Sequence, residues 1–316
     1  MKIIGIFCGG FSSEAAISMK SAQTIIENCP KSYQPVKIIV SEENWLAEYE
    51  EQLLPFDINT MRFGENKISA AIVYIHGDPG ENGKVQSLLE MKGIPYINSG
   101  PLASALSFDK WYCNQFLSGF GIKVAKSLLL RSKDEFSDEE IFTQLGLPLF
   151  VKPSDSGSSY GISKVNETSQ LKAALESAFK EGETVVVESF LPGIEVTCGV
   201  YRGRDGIKAL PLTEICSENE FFDYDAKYLG KSQEITPARV DINVKDNVQK
   251  ISKRIYNLMG LRSIARIDFM VVDNEPYVIE VNTTPGFSPA SIVPQMIKAE
   301  GSTISAFWDE IFEVEL

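Results

Sequence analysis

Two runs of alternating polar and apolar side chains, Ala265-Arg266-Ile267-Asp268-Phe269 and Tyr277-Val278-Ile279-Glu280-Val281-Asn282, stand either side of Asp273-Asn274-Glu275. Successive side chains of a β-strand point to opposite faces. A polar turn between two such runs predicts an antiparallel hairpin. The alternation puts Arg266 and Asp268 on one face and Ile267, Phe269 and Val271 on the other. In the second run it groups Glu280 with Asn282, and Tyr277 with Ile279 and Val281. If the polar faces coincide, two carboxylates, an amide oxygen and a guanidinium converge. Such oxygen donors suit a hard cation beside phosphate. A solvated hairpin face would carry the same pattern, so its meaning depends on the rest of the chain.

The first third alternates strand and helix signals. Ile3–Phe7, Pro35–Val40, Ala70–Ile75 and Ile94–Ile97 read as strands, and Glu14–Glu27 and Val85–Met91 as helices. That is the βαβ pattern of a parallel sheet, which binds ligands in the loops after its strands. Two such loops stand out, Gly9-Gly10-Phe11-Ser12-Ser13-Glu14 and His76-Gly77-Asp78-Pro79-Gly80-Glu81-Asn82-Gly83. One helix is predicted from Pro101 to about Ser118. The strand Leu149–Pro153, a Gly/Ser loop and a strand at Ile162–Val165 form a second hairpin, and a helix at Leu171–Phe179 and a strand at Thr184–Glu188 follow. Gly193–Tyr201 and Lys208–Pro211 read as strands. Phe221–Pro237 has no clear period and reads as a long loop of lid type. Val244, Val248, Ile251, Ile255 and Leu258 mark an amphipathic helix that ends at Gly260.

The 316 residues are enough for two or three domains. A net charge of −13 excludes a broad basic surface for nucleic acid. No apolar run reaches membrane-span length. The five scattered cysteines, without a Cys-x-x-Cys pair, fit a reducing compartment. A single histidine rules out a zinc site built from several, and there is no Gly-x-Ser-x-Gly elbow for a serine hydrolase.

Lys110 on a helix and Lys152 at a strand end beside the Gly/Ser loop supply mobile cations for phosphate. Each alone is an ordinary feature of protein surfaces. Glu14 opens a helix, where a carboxylate serves the macrodipole or an ammonium ligand equally well. His76 sits in a glycine-rich loop, where hydrogen bonding alone would account for it.

Five separated segments, in this order, make the chain recognisable. They are Gly9-Gly10-x-Ser12-x-Glu14; His76-Gly77-x-x-Gly80-Glu81-x-Gly83; Lys152-Pro153 with Gly157-Ser158-Ser159-x-Gly161; Phe222-Asp223-Tyr224-x-Ala226-Lys227-Tyr228; and Arg266-Ile267-Asp268 with Glu280-x-Asn282-Thr283-Thr284-Pro285-Gly286. Over essentially its whole length the chain resembles the D-alanine–D-alanine ligases of the ATP-grasp superfamily. The resemblance implies an α/β and α+β ATP-grasp fold of three subdomains, 1–98, 99–188 and 189–316, with ATP between the second and third. It implies ligation of two D-alanines through an acyl phosphate, for peptidoglycan synthesis in the cytoplasm, by a homodimer without nucleic-acid partners or membrane insertion. D-Lactate or D-serine as acceptor is the alternative, and an inactive binding module is another.

The resemblance also implies roles. Asp268, Glu280 and Asn282 are the ligands of two Mg²⁺ ions, with Mn²⁺ as a substitute. Lys110, Lys152, Ser158, Ser159 and Lys227 hold the phosphates, and Glu188, Leu191 and Glu195 the adenosine. Glu14 orders the first amino acid, with His76 near its carboxylate. Arg266 and the Gly286 N–H form an oxyanion site, and Ser291 binds substrate carboxylate. Tyr228 links Glu14 and Ser158, and a tyrosine there goes with dipeptide makers. Ser189, Asp78-Pro79 and Ala290 depart from residues common in the family.

Overall fold

A computed structural model describes residues 1–132, 136–155, 161–217 and 232–316. The amino-terminal part is an eight-stranded sheet. It contains β1 (Lys2–Gly9), α1 (Ala15–Glu27), β2 (Tyr33–Val40), β3 (Trp45–Tyr49), β4 (Gln52–Asp57), β5 (Arg62–Phe63), β6 (Asn66–Lys67), β7 (Ala70–Val73), α2 (Lys84–Met91) and β8 (Tyr96–Ile97). The strand order is β6-β5-β4-β3-β2-β1-β7-β8. The β2-β1-β7-β8 half is parallel and β3 to β6 form an antiparallel meander. The parallel strands are apolar on both faces because both are covered. Ile4, Ile6 and Ile72 pack on α1, while Phe7, Val73 and Ile75 face the second core.

The loop after β1 bends back sharply. Gly9 and Gly10 have φ +87° and +109°, and a Cβ on Gly9 would lie 2.7 Å from the Val40 carbonyl. Only glycine fits both demands. The sequence pattern marks no element between Val40 and Ala70, where the meander lies, because short strands with charged edge positions carry little periodicity.

Two helices follow, α3 (Pro101–Phe108) and α4 (Lys110–Gly119). The single helix expected over Pro101–Ser118 is broken at Asp109, which is extended (ψ 109°) and caps α4 by accepting from the Tyr112 N–H at 3.0 Å. The break places Lys110 at the start of a helix, its backbone N–H donating to the Ser154 carbonyl at 2.8 Å.

A four-stranded antiparallel sheet comes next, in order β11-β10-β12-β9. It is built from β9 (Ser127–Arg131), α5 (Asp138–Leu145), β10 (Leu149–Pro153), β11 (Ser163–Val165), α6 (Leu171–Ala178) and β12 (Thr184–Ser189). β10 pairs with β11 antiparallel, as the strand–loop–strand pattern predicts. The third sheet has the order β16-β15-β13-β17-β18, with β14 also on β13. Its elements are β13 (Ile194–Gly203), β14 (Gly206–Ala209), β15 (Thr213–Ser217), β16 (Ser232–Ile235), α7 (Ile242–Leu258), β17 (Ile264–Val272), β18 (Glu275–Asn282), α8 (Ile292–Ala299) and α9 (Ile304–Glu315). The loop expected over Phe221–Pro237 therefore ends in a strand, β16, paired with β15. The rest of it lies outside the described residues. Gly260, at φ +63°, follows α7 as expected.

One core beneath the third sheet takes α7, α3 and α4. Another joins the first sheet to α8 and α9, with Tyr74, Phe287, Phe307 and Trp308 in edge and stacked contact. Polar contacts fasten the same seam. The Tyr74 hydroxyl donates to the Pro285 carbonyl at 2.7 Å, and the Asn98 amide to the Thr284 hydroxyl at 3.1 Å. Among the described residues no helix is long and apolar enough to cross a membrane, and all five cysteines are free thiols.

Candidate active site

The β17–β18 hairpin closes with Asp273 and Asn274 at φ +51° and +65°, the two-residue turn whose twist matches that of the strands. Its register sets Arg266 opposite Asn282 and Asp268 opposite Glu280. Directly paired residues share a face, so the four polar side chains converge. The alternation expected for the second run fails beyond that point. A bulge between Asp268 and Phe269 pairs Phe269 with Val278 and leaves Ile279 as an extra residue. Val278 and Val281 are therefore the buried pair, while Tyr277 and Ile279 are half-buried.

The Arg266 guanidinium grips Asp268 with two hydrogen bonds of 2.8 and 2.6 Å and lies 3.9 Å from Glu280. Burial works against its charge, but Asp268 and Glu280 outweigh that and hold its pKa above the usual range. Asp268 also accepts from the Thr197 hydroxyl at 2.5 Å and the Asn282 amide at 3.2 Å. Among the described residues no three His, Cys, Asp or Glu side chains cluster as a metal site. The hairpin's two carboxylates and one amide oxygen are a hard donor set, incomplete by itself, of the kind that binds Mg²⁺ together with water and phosphate oxygens.

The face opens into a cleft of about 370 Å³. Glu14, His76, Lys110, Arg266, Glu280, Asn282, Gly286 and Ser291 all line it, brought from distant parts of the sequence. The two glycine loops of the first sheet meet here. The Ser12 hydroxyl donates to the His76 carbonyl at 2.8 Å and accepts from the Glu14 N–H at 3.3 Å. Glu14 stands at the start of α1 but its side chain makes no cap. It faces the cleft instead. His76 is 5% exposed and hydrogen-bonds the Thr284 backbone, while its Nε2 has no partner among the described residues. Burial lowers its pKa against the pull of Glu14, so the ring is neutral near pH 7.

On the opposite wall Ser291 begins α8. Its hydroxyl accepts from the Ser288 N–H at 3.1 Å and lies 2.8 Å from the Ser288 hydroxyl. A Cβ on Gly286 would come within 3.1 Å of that hydroxyl oxygen. The N–H groups that open α8 make this wall favourable to an anion.

Other expected residues lie elsewhere. Asp268 is buried behind Arg266 and does not line the cleft. Lys152 and Glu188, on adjacent strands of the four-stranded sheet, form a buried ion pair with each other. Leu191 and Glu195 are half-buried outside the cleft. Ser158, Ser159, Lys227 and Tyr228 lie outside the described residues. Two carboxylates that line the cleft were not among the expected site residues, Glu81 and Glu234. Glu81 accepts from the Gly77 N–H at 2.8 Å, and burial, with Glu14 nearby, pushes its carboxyl up to about 8. Its place in the His76-Gly77-x-x-Gly80-Glu81 segment was the available signal.

Known proteins resemble this chain in sequence and in fold. A family model described as the D-ala D-ala ligase C-terminus matches residues 116–313. A D-alanine–D-alanine ligase of Parabacteroides distasonis is 42% identical over 100% of this chain and 98% of its own. The chain belongs to the D-alanine–D-alanine ligase family. Among solved structures, the VanG D-Ala:D-Ser ligase of Enterococcus faecalis superposes with TM-score 0.89 at 31% identity, covering 100% of this chain and 99% of its own. A Bacillus anthracis D-alanine–D-alanine ligase complexed with ATP gives 0.82 at 31%, covering 100% and 97%. The fold is thus that of the ATP-grasp ligases, and the cleft of this family member is where its two glycine loops, its hairpin and α8 meet.

Proposed function

We propose that the protein joins two D-alanines into D-alanyl-D-alanine at the expense of ATP, as an ADP-forming ligase supplying peptidoglycan precursors in the cytoplasm. The observation that carries this is the convergence of Glu14, His76, Lys110, Arg266, Glu280 and Ser291 on one cleft. D-Alanine rather than D-serine is read as the acceptor because the relatives that are 42% and 40% identical over nearly the whole chain are D-alanine–D-alanine ligases.

In this reading 1–98, 99–188 and 189–316 are the three subdomains, and ATP lies between the second and third. Lys110, Lys152, Ser158, Ser159 and Lys227 would surround its phosphates, and Glu188, Leu191 and Glu195 its adenosine. Asp268, Glu280 and Asn282 would hold two Mg²⁺ ions, which when bound neutralise charge on the transferring phosphoryl group. Lys152 exchanges its ion pair with Glu188 for phosphate contact.

Glu14 holds the ammonium of the first D-alanine and His76 sits beside its carboxylate. Phosphoryl transfer turns that carboxylate into an acyl phosphate. The second D-alanine places its carboxylate at Ser291 and the start of α8, loses a proton from its ammonium, and attacks the acyl carbon. Negative charge moves onto the acyl oxygen, where Arg266 and the Gly286 N–H meet it. Collapse breaks the C–O bond and releases phosphate. Tyr228, with Glu14 and Ser158, ties the segment before β16 to the first-substrate site. A homodimer is the proposed assembly. Phosphate release that requires D-alanine as well as ATP is the expected result, and release independent of D-alanine would reject the proposal.

A further inference from the structure

We propose that Glu234 is a specificity-determining residue that selects a zwitterionic acceptor over an anionic one. The inference rests on the ligase reading above and extends it, because Glu234 lies outside every segment that carries the family resemblance.

Glu234 is on β16, the edge strand of the third sheet. It pairs with Ile215, which pairs with Glu195, which pairs with Met270. Two residues along the same strands, Thr213 pairs with Thr197, Thr197 with Asp268, and Asp268 with Glu280. Paired residues, and residues two apart on a strand, share a face. Glu234 is therefore on the face that presents Arg266, Asp268 and Glu280. It lines the same cleft as Arg266, Ala290 and Ser291.

A second contact fixes which wall it serves. The Gln295 side-chain amide donates to the Glu234 carboxylate at 3.0 Å and to the Ala290 carbonyl at 2.8 Å. The Gln295 backbone N–H donates to the Ser291 carbonyl at 3.3 Å. Glu234 is thus tied to the first turn of α8, beside Ser291 on the proposed acceptor side. Burial raises its carboxyl above the usual range, and the Gln295 hydrogen bond and the positive charge of Arg266 offset part of that rise.

The chemistry follows from net charge. Arg266 and the start of α8 attract any acceptor carboxylate. That attraction alone would favour D-lactate, an anion, over D-alanine, whose ammonium cancels its carboxylate. A half-buried carboxylate on the same wall reverses the balance. It repels an acceptor of net charge −1 and interacts favourably with an ammonium, in surroundings less polar than water. Specificity then comes from a repulsive element as well as an attractive one.

The test compares the native enzyme with Glu234→Gln and Glu234→Asp. Each receives saturating first-site D-alanine and competing D-alanine and D-lactate as acceptors, and dipeptide and depsipeptide are quantified. Glutamine keeps an acceptor for the Gln295 amide and removes the charge. The depsipeptide-to-dipeptide ratio should rise about tenfold in Glu234→Gln, a like-charge effect of ordinary size. Glu234→Asp, which keeps the charge, should stay near the native ratio. An unchanged ratio in Glu234→Gln would overturn the inference, as would an equal rise in both variants, which would assign the effect to shape. If the native protein forms neither product, the ligase reading itself falls.

Discussion

Asp268 and Glu280 face each other across the hairpin, and Arg266 spends its fork on Asp268. Glu280→Gln keeps the size and hydrogen-bonding capacity of the side chain but loses its charge. Turnover should fall at least ~10²-fold at saturating Mg²⁺, with the unfolding transition preserved, and near-normal turnover would remove Glu280 from the proposed ligands. Arg266→Lys keeps the charge and loses the planar fork. Its kcat should fall by a larger factor than its KM rises, since the group acts on charge that develops during reaction. Steady-state kinetics separates the two, and a change confined to KM would reassign Arg266 to ground-state binding. Glu81 gives a pH prediction. Its carboxyl is pushed up to about 8 in the folded protein, against about 4.3 when unfolded. The folded state therefore holds a proton that the unfolded state has lost between those values. Ligand-free stability should be greatest below pH ~4.5 as far as this group is concerned, and decline as pH rises toward 8, by on the order of 2–4 kcal/mol. Urea midpoints at pH 5, 6.5 and 8 should show the decline in the native protein and a flatter profile in Glu81→Gln. Arg266, Asp268, Glu280 and Asn282 were legible because charge at alternate positions of a strand is conspicuous. The surroundings of Glu81 were not, because two loops that meet only in the fold create them.

The hairpin shows what periodicity carries at the scale of elements and what it misses. Its strands and polar turn could be read from the chain, and so could α7 with its terminal glycine. The bulge at Ile279 could not, since an extra residue changes neither composition nor hydropathy, only register. The interruption at Asp109 was missed for a related reason. A capping aspartate inside an apolar-periodic stretch looks like one more exposed helical residue. Both irregularities serve the cleft, one by setting Glu280 opposite Asp268 and the other by starting a helix at Lys110. The turn yields its own prediction. Asn274 has φ +65°, which glycine adopts readily and a β-branched residue does not. Asn274→Gly should match or slightly exceed native stability, and Asn274→Val should lose about 1–2 kcal/mol in equilibrium unfolding. Equal stability of the two variants would contradict the turn geometry.

Across the whole molecule, the cleft exists because the first sheet is fastened to the far end of the chain. Tyr74 bonds Pro285, Asn98 bonds Thr284, and Arg262 bonds both the Tyr96 carbonyl and Glu315. These contacts hold the His76 and Glu14 loops near the hairpin and α8, so that residues far apart in sequence line one cleft. Sequence order foretold which segments matter, but the buried Lys152–Glu188 pair joins two strands of one sheet that are distant in sequence, and the polar seam joins the first sheet to the far end of the chain, contacts that no local pattern encodes. The proposed chemistry needs one carboxylate oxygen of the first D-alanine to become a phosphate oxygen. D-Alanine labelled with ¹⁸O in its carboxyl group, incubated with ATP, Mg²⁺ and the enzyme, tests this directly. Mass spectrometry of the products should find one labelled oxygen in the released phosphate for each D-alanyl-D-alanine formed. Dipeptide formed with wholly unlabelled phosphate would contradict an acyl phosphate route.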